Sequence, residues 1–343
     1  MKKFIFFRND RLGDFIIITS LIKKIKDKYP RSKIIIVCSL MNKNFIQAYK
    51  IIDKIIVYDK NFSINKKLGI FFKIIKDKYY ASFVVDGKSF SYLCNLFIKS
   101  RFKLGIVYRY IFCGISFYKP NRLYNLFIFN KYEKFTSKKN LRKIEHLPSK
   151  IIGLGKLLNI QLKNSDSYYY HVKNIYEQKY KQFFLSAINK KYILIHLDEK
   201  WCDIQNVKVD LFDSLLKFQK TINKIILLTS FRNNFEYYKN LRDKVIKSKV
   251  KNIQLVENQN LFMMERLIKH STCSVSCHSG FLVQIAGANS ARIIDIINKK
   301  DFFWYSSWVP KNTHHNFIFK SDYSKKKTLK YIFNNLTQNI NNI

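Results

Sequence analysis

Two short stretches of the 343-residue sequence bring together residue types that can do chemistry. In "RNDRLGDF", residues 8 to 15, Asp10, Gly13 and Asp14 stand where the apolar run "KFIFF" gives way to a helical pattern ending at Tyr29-Pro30. A carboxylate in the first turn of a helix is favoured by the macrodipole. Asp14 therefore reads either as a helix cap or as a base for a substrate hydroxyl, and Gly13 as a tight turn or a place for a ligand to approach the backbone. In "SVSCHSGFLVQIAGA", residues 274 to 288, Ser279-Gly280 turns a strand into a helix whose first amides can cradle a diphosphate. His278 beside them reads as a phosphate donor or as a histidine packed at a strand end. Cys273, Cys277 and His278 invite a metal reading, but they lack a second ligand pair at suitable spacing. No Asp-x-Asp pair occurs, so no chelated divalent metal is expected as a diphosphate clamp.

These residues need elements to position them. Short β-branched and aromatic runs alternate with helical patterns, as in βαβ units around a parallel sheet. "KFIFF" (3–7), "KIIIVC" (33–38), "KIIVY" (54–58), "SFVVD" (82–86) and "KLGIV" (103–107) read as strands, with helices notably over 15–29 and 89–98. The stretch 108–142 has no clean period and reads as a loop-rich excursion. After a helical stretch at 145–160, the alternation restarts with strands at 192–197, 224–230, 252–257, 273–277 and 291–296 and helices near 210–222, 234–246 and 280–289. A terminal helix is expected over 325–340.

Lys plus Arg number 63 against 23 Asp plus Glu, a formal net charge of +40. Such a field attracts nucleic acid, anionic lipid or a phosphorylated glycan. Much of the excess is Lys among Ile, Asn, Phe and Tyr, a bias that an AT-rich genome produces as readily as binding does. The basic residues are spread through nearly every helix, and no RNA-binding or zinc-finger pattern appears, so a nucleic-acid partner is not expected. The six cysteines form no CxxC pair and read as buried thiols in a reducing cytoplasm. No run approaches the ~18 apolar residues of a membrane span. Arg8, Asp10 and Arg11 interrupt the signal-like start "MKKFIFF".

"RNDRLGDFIIITSLIKKIKDKYPRSKIIIV" resembles the amino-terminal signature of glycosyltransferase family 9, the ADP-heptose:lipopolysaccharide heptosyltransferase family. "FVVDGKSFSYLCNLFIKSRFKLGI", "EHLPSKIIGLGKLLNI", "ILIHLDEKW" and "SVSCHSGFLVQIAGA" are similar to its later segments in the same order. The resemblance implies an α/β GT-B fold of two Rossmann-like doubly wound domains facing an interdomain cleft. Residues 1–170 would bind the acceptor and 171–320 the nucleotide-sugar donor, with 321–343 a helix crossing back to the first domain. It implies an inverting, metal-independent transfer of a heptose-like sugar from a nucleotide-diphosphate donor, ADP-sugar above others, to lipopolysaccharide core or a related surface glycan. No cofactor beyond that co-substrate is implied.

Asp14 matches the family's base for the acceptor hydroxyl. Arg11, Gly13 and Asp86 fall on the acceptor side, and Arg109 and Arg122 of the basic excursion would meet a lipid-linked or phosphorylated acceptor or the anionic inner face of the membrane. Lys200, Glu236, His278, Ser279 and Gly280 match the donor side, with Lys200 at the diphosphate and Glu236 at the ribose. The chain departs from the pattern at Leu197-Asp198, where the family has Pro-Gly, and at His278, Phe281 and Val283, where it has Asp, Pro and His. Those departures keep open a scaffold that binds nucleotide without transfer, alongside the rival of a basic nucleic-acid binder.

Overall fold

Runs of Ile, Val and Phe that are too apolar to face water on either side form the central strands of two parallel sheets. The computed structural model describes residues 1–9, 11–112, 115–118, 128–136, 145–161, 192–198, 201, 211–230, 236–257, 261–311, 313–320 and 325–341, with the backbone alone for 109–112, 115–118 and 325–328. The chain divides into two compact units, Met1–Lys173 with Phe303–Trp308, and Asn174–Phe302 with Val309–Ile343.

In the first unit β1 (Lys3–Arg8), β2 (Lys33–Cys38), β3 (Lys54–Val57), β4 (Lys78–Val84), β5 (Lys99–Phe112), β6 (Ile115–Tyr118) and β7 (Lys131–Thr136) form one sheet. Its order is β3-β2-β1-β4-β5-β6, with β7 also pairing β5. All pairings are parallel except β5 with β6. The helices α1 (Leu12–Lys28), α2 (Lys43–Gln47), α3 (Ile64–Ile75), α4 (Ser89–Phe97) and α5 (Leu147–Gly153) accompany it. Phe4 to Phe7 of β1 and Phe15 to Ile18 of α1 are wholly buried, each such side chain contributing roughly 1.5–3 kcal/mol. The excursion expected as loop therefore contains strands. Parallel pairing to β5 satisfies the backbone of "KYEKFT", and its charged side chains lie half-buried or exposed, which hid the strand from an apolar-run criterion.

In the second unit β8 (Tyr192–His196), β9 (Ile225–Thr229), β10 (Ile253–Val256), β11 (Cys273–Ser276), β12 (Ile293–Asn298) and β13 (His315–Lys320) form an all-parallel sheet in the order β10-β9-β8-β11-β12-β13. Its helices are α6 (Leu211–Ile222), α7 (Glu236–Ser248), α8 (Leu261–His270), α9 (Gly280–Ala288) and α11 (Lys325–Asn341). The short α10 (Phe302–Ser306) lies largely in the segment that returns to the first unit, where the Leu147 amide donates to the Ser307 carbonyl at 2.9 Å. The terminal helix α11 itself stays in the second unit, packing on α6 with Phe333 against Phe218 at 5.2 Å between ring centres.

Candidate active site

Both sheets wind outward from one central strand pair, β1/β4 in the first and β8/β11 in the second. At such a reversal two helices leave in opposite directions beyond the carboxyl ends of the strands, opening a crevice where open α/β sheets bind ligands. Asp14 with Arg8, and His278 with Ser279 and Gly280, lie at these two places.

At the β1/β4 corner, Arg8 ends β1 and is buried, its side chain 1% exposed. Its guanidinium donates to the Val85 carbonyl and sits 3.5 Å from Asp14 Oδ1. Asp14 is the third residue of α1, and its side chain is 23% exposed. The capping alternative for Asp14 does not hold, because Arg11 occupies the cap position and makes no side-chain cap bond. Arg11 is exposed beside it, and Gly13 is buried inside the first turn of α1. Gly13 makes no left-handed turn. Among the described glycines that conformation belongs to Gly87, at φ 66°, where a side chain would be strained.

Asp86, just before Gly87, anchors the opposite side of the corner. It accepts from the Asn9 amide at 3.0 Å, the Ser91 hydroxyl at 2.6 Å and the Lys88 amide at 3.1 Å. Burial pushes its carboxyl above the ordinary carboxylate value, opposed by those hydrogen bonds and by the charge of Arg8. Asp86 thus ties α4 to the end of β1, so its role here is positional. Asp14 is the acidic residue of the first turn of α1, partly open to water and paired with a buried cation. Arg109 is described only by its place in β5, and Arg122 lies outside the described residues.

At the β8/β11 corner the tight turn falls one residue earlier than the Ser-Gly pair suggests. His278 adopts φ 59°, in the left-handed region that non-glycine residues seldom occupy. Ser279 caps α9 by position, and its amide donates to the Ser276 hydroxyl at 3.1 Å, so only part of the expected amide cradle faces outward. Gly280 opens α9, where its amide has no carbonyl partner within the helix, and a Cβ there would meet nothing within 4 Å. This space suits an anion.

His278 Nδ1 lies 2.5 Å from Asp295 Oδ2 on β12, and His315 Nε2 on β13 lies 3.7 Å from the same oxygen. Burial alone pushes the Asp295 carboxyl up, but the hydrogen bond from His278 and the nearby charge of both histidines outweigh it and hold it below the ordinary carboxylate value. His278 is therefore fixed by an internal carboxylate in the turn that leads from β11 into α9. Sequence reasoning missed Asp295, His315 and Arg8. An acid inside the apolar run "ARIIDI" and a cation closing "KFIFFR" were the available signals.

The turn after β8 is braced by Trp201, wholly buried, whose indole donates to the His196 carbonyl at 2.8 Å. His196 Nδ1 pairs with Thr229 Oγ1 at 3.1 Å, and the Tyr237 hydroxyl donates to the Asp198 carbonyl. Lys200 lies outside the described residues. Glu236 is the exposed first residue of α7, on the carboxyl side of β9. Among the described residues no group of three or more His, Cys, Asp or Glu is arranged to hold a metal ion.

Among solved structures the chain is similar to a glycosyl transferase family 9 protein from Veillonella parvula DSM 2008, at 15% identity over 99% of this chain and 96% of that one, with a TM-score of 0.71. It is also similar to the E. coli heptosyltransferase WaaC with ADP, at 13% identity over 99% of both chains, TM-score 0.66. The UDP-GlcNAc 2-epimerase from Neisseria meningitidis bound to UDP-GlcNAc shares the arrangement more distantly, at 12% identity over 99% and 92%, TM-score 0.54. No protein-family model and no curated protein matches the chain. The resemblance read from the motifs therefore holds at the level of fold, which is α/β of the GT-B type with two doubly wound units.

Proposed function

We propose that the protein is a glycosyltransferase that takes its sugar from a nucleotide-diphosphate donor. The observation that carries this reading is Asp14, a water-accessible carboxylate held by buried Arg8 at the strand reversal of the first sheet. A fold shared with the heptosyltransferase solved with ADP supports an adenosine diphosphate donor. In this reading the acceptor hydroxyl gives its proton to Asp14 as its oxygen attacks the anomeric carbon. The bond from that carbon to the diphosphate oxygen breaks, and the configuration inverts. The charge of the departing diphosphate is of the kind that the Gly280 amide and the dipole of α9 stabilise. His278, locked by Asp295, orients the turn that presents this amide, and Glu236 receives the ribose. The acceptor is a lipopolysaccharide core or related surface glycan.

The test is a thermal-shift screen against ADP, GDP, UDP and their sugars. A ligand that binds only the folded state stabilises it by about 2.7 kcal/mol at a hundredfold excess over Kd. ADP or an ADP-sugar is expected to raise the melting temperature, with Gly280→Val abolishing the rise. Absence of any shift with every nucleoside diphosphate contradicts the proposal.

A further inference from the structure

The helix α3, "INKKLGIFFKII", turns much of its apolar surface away from the core. Ile64, Leu68 and Phe72 recur every fourth residue, which places them along one stripe, and they are 68%, 46% and 59% exposed. Only Ile74 of this helix is fully buried. Next to it α4 exposes Leu93, Leu96 and Phe97. Between the two helices lies an open groove of about 490 Å³ whose walls include Ile64, Leu68, Phe71, Phe90 and Leu93. The rings of Tyr58 and Phe90 stack at 3.7 Å at its side. A contiguous apolar surface of this kind on a soluble fold marks an interaction site.

The surrounding charge selects the partner. Residues 60–99 carry eight lysines against two aspartates, and of those two Asp86 is engaged at the β1/β4 corner and Asp77 by Lys3 at 3.0 Å. Lys67 borders the groove and exposed Lys76 continues the stripe beyond the end of α3. Apolar side chains framed by lysines match the acyl and headgroup layers of an anionic leaflet. We propose that the α3–α4 face docks on an anionic phospholipid bilayer. Ser89, Phe90 and Leu93 of the groove belong to α4, the helix whose buried Ser91 holds Asp86, so docking would set the membrane against the helix that braces the acceptor-side corner. This consequence rests on the transfer reading, whereas docking does not. The surface differs from the basic excursion at 108–142 that the sequence suggested.

The experiment is co-sedimentation of the full chain with vesicles of one part phosphatidylglycerol to three parts phosphatidylcholine, and with pure phosphatidylcholine, at about 0.15 M salt. The protein is expected to pellet with the anionic vesicles alone. Leu68→Glu/Phe72→Glu should weaken binding at least tenfold, and Lys67→Gln/Lys76→Gln about fivefold per lysine. All four substitutions lie outside the buried core, and an unchanged melting temperature and ADP response confirm folding. Three results would overturn the proposal. The wild type fails to bind, Leu68→Glu/Phe72→Glu binds as well as wild type, or the face proves to be a self-association surface that this variant dissolves while vesicles are ignored. Vesicle binding without nucleotide binding would sink the transfer reading and leave docking standing.

Discussion

Replacing Arg8 tests whether the first corner is built as described. Its guanidinium is almost wholly buried, donates to the Val85 carbonyl and lies 3.5 Å from Asp14. At that distance and an effective dielectric constant of 20 the gross attraction is about 5 kcal/mol. Desolvation of the arginine and the access of water to Asp14 offset most of it, leaving a pair coupling of about 1–2 kcal/mol. Arg8→Met also strands the Val85 carbonyl and removes a charge that partly offsets the upward push of burial on the Asp86 carboxyl. The total cost is then about 2–4 kcal/mol, or very roughly 4–16 °C in melting temperature for a domain of 150–250 residues. The assay is a double-mutant cycle of Arg8→Met and Asp14→Asn by urea unfolding. Strictly additive effects, within about 0.5 kcal/mol, would refute the claim that Arg8 holds Asp14.

Asp295→Asn removes a wholly buried carboxylate that two histidines face, and should cost the second unit about 3–5 kcal/mol at pH 7 by urea unfolding. Because that carboxyl is held low in the fold, its stabilisation is present above about pH 3.9 and lost as pH falls through the folded value, so the variant should show a shallower acid limb. Glu265 behaves in the opposite sense. Burial pushes its carboxyl up to about 7 against the pull of Lys269 and Asn289, so stability should fall by up to about 3 kcal/mol as pH rises from about 4.5 to 7, and Glu265→Gln should flatten that decline in a pH series of melting curves. Gly69→Ala, in the interior of α3 where an added Cβ meets nothing within 4 Å, should stabilise the first unit by about 0.5–1 kcal/mol in urea.

The central strands were legible because a strand buried on both faces must be written as a continuous apolar run. "KIIIVC" coincides with β2, and "YILIH" opens where β8 does. Edge elements were harder. β7 carries charged side chains toward water, and β13 buries only Ile318 fully, so both lack that signature. β4 begins at Lys78, four residues before the run that suggested it, because Tyr79 is buried and donates its hydroxyl to the Ile74 carbonyl. The position of Asp14 in the first turn could be read from "RLGDF", but its partner Arg8 looked like one more surface cation in a chain rich in them. Only three-dimensional proximity separates a buried arginine from an exposed one. The same holds for Asp295 and His315, which are 20 residues apart in sequence and meet because β12 and β13 are neighbours.

Mass spectrometry of an acceptor pool incubated with an ADP-sugar addresses the transfer proposal most directly, reading the mass of one added sugar together with released ADP. The account predicts both products with the wild type. It predicts loss of about 10²–10⁴ in rate with Asp14→Asn, while the ADP-induced rise in melting temperature persists. An Asp14→Asn protein that transfers at the wild-type rate, or a wild type that releases ADP without adding sugar to any acceptor, would contradict it.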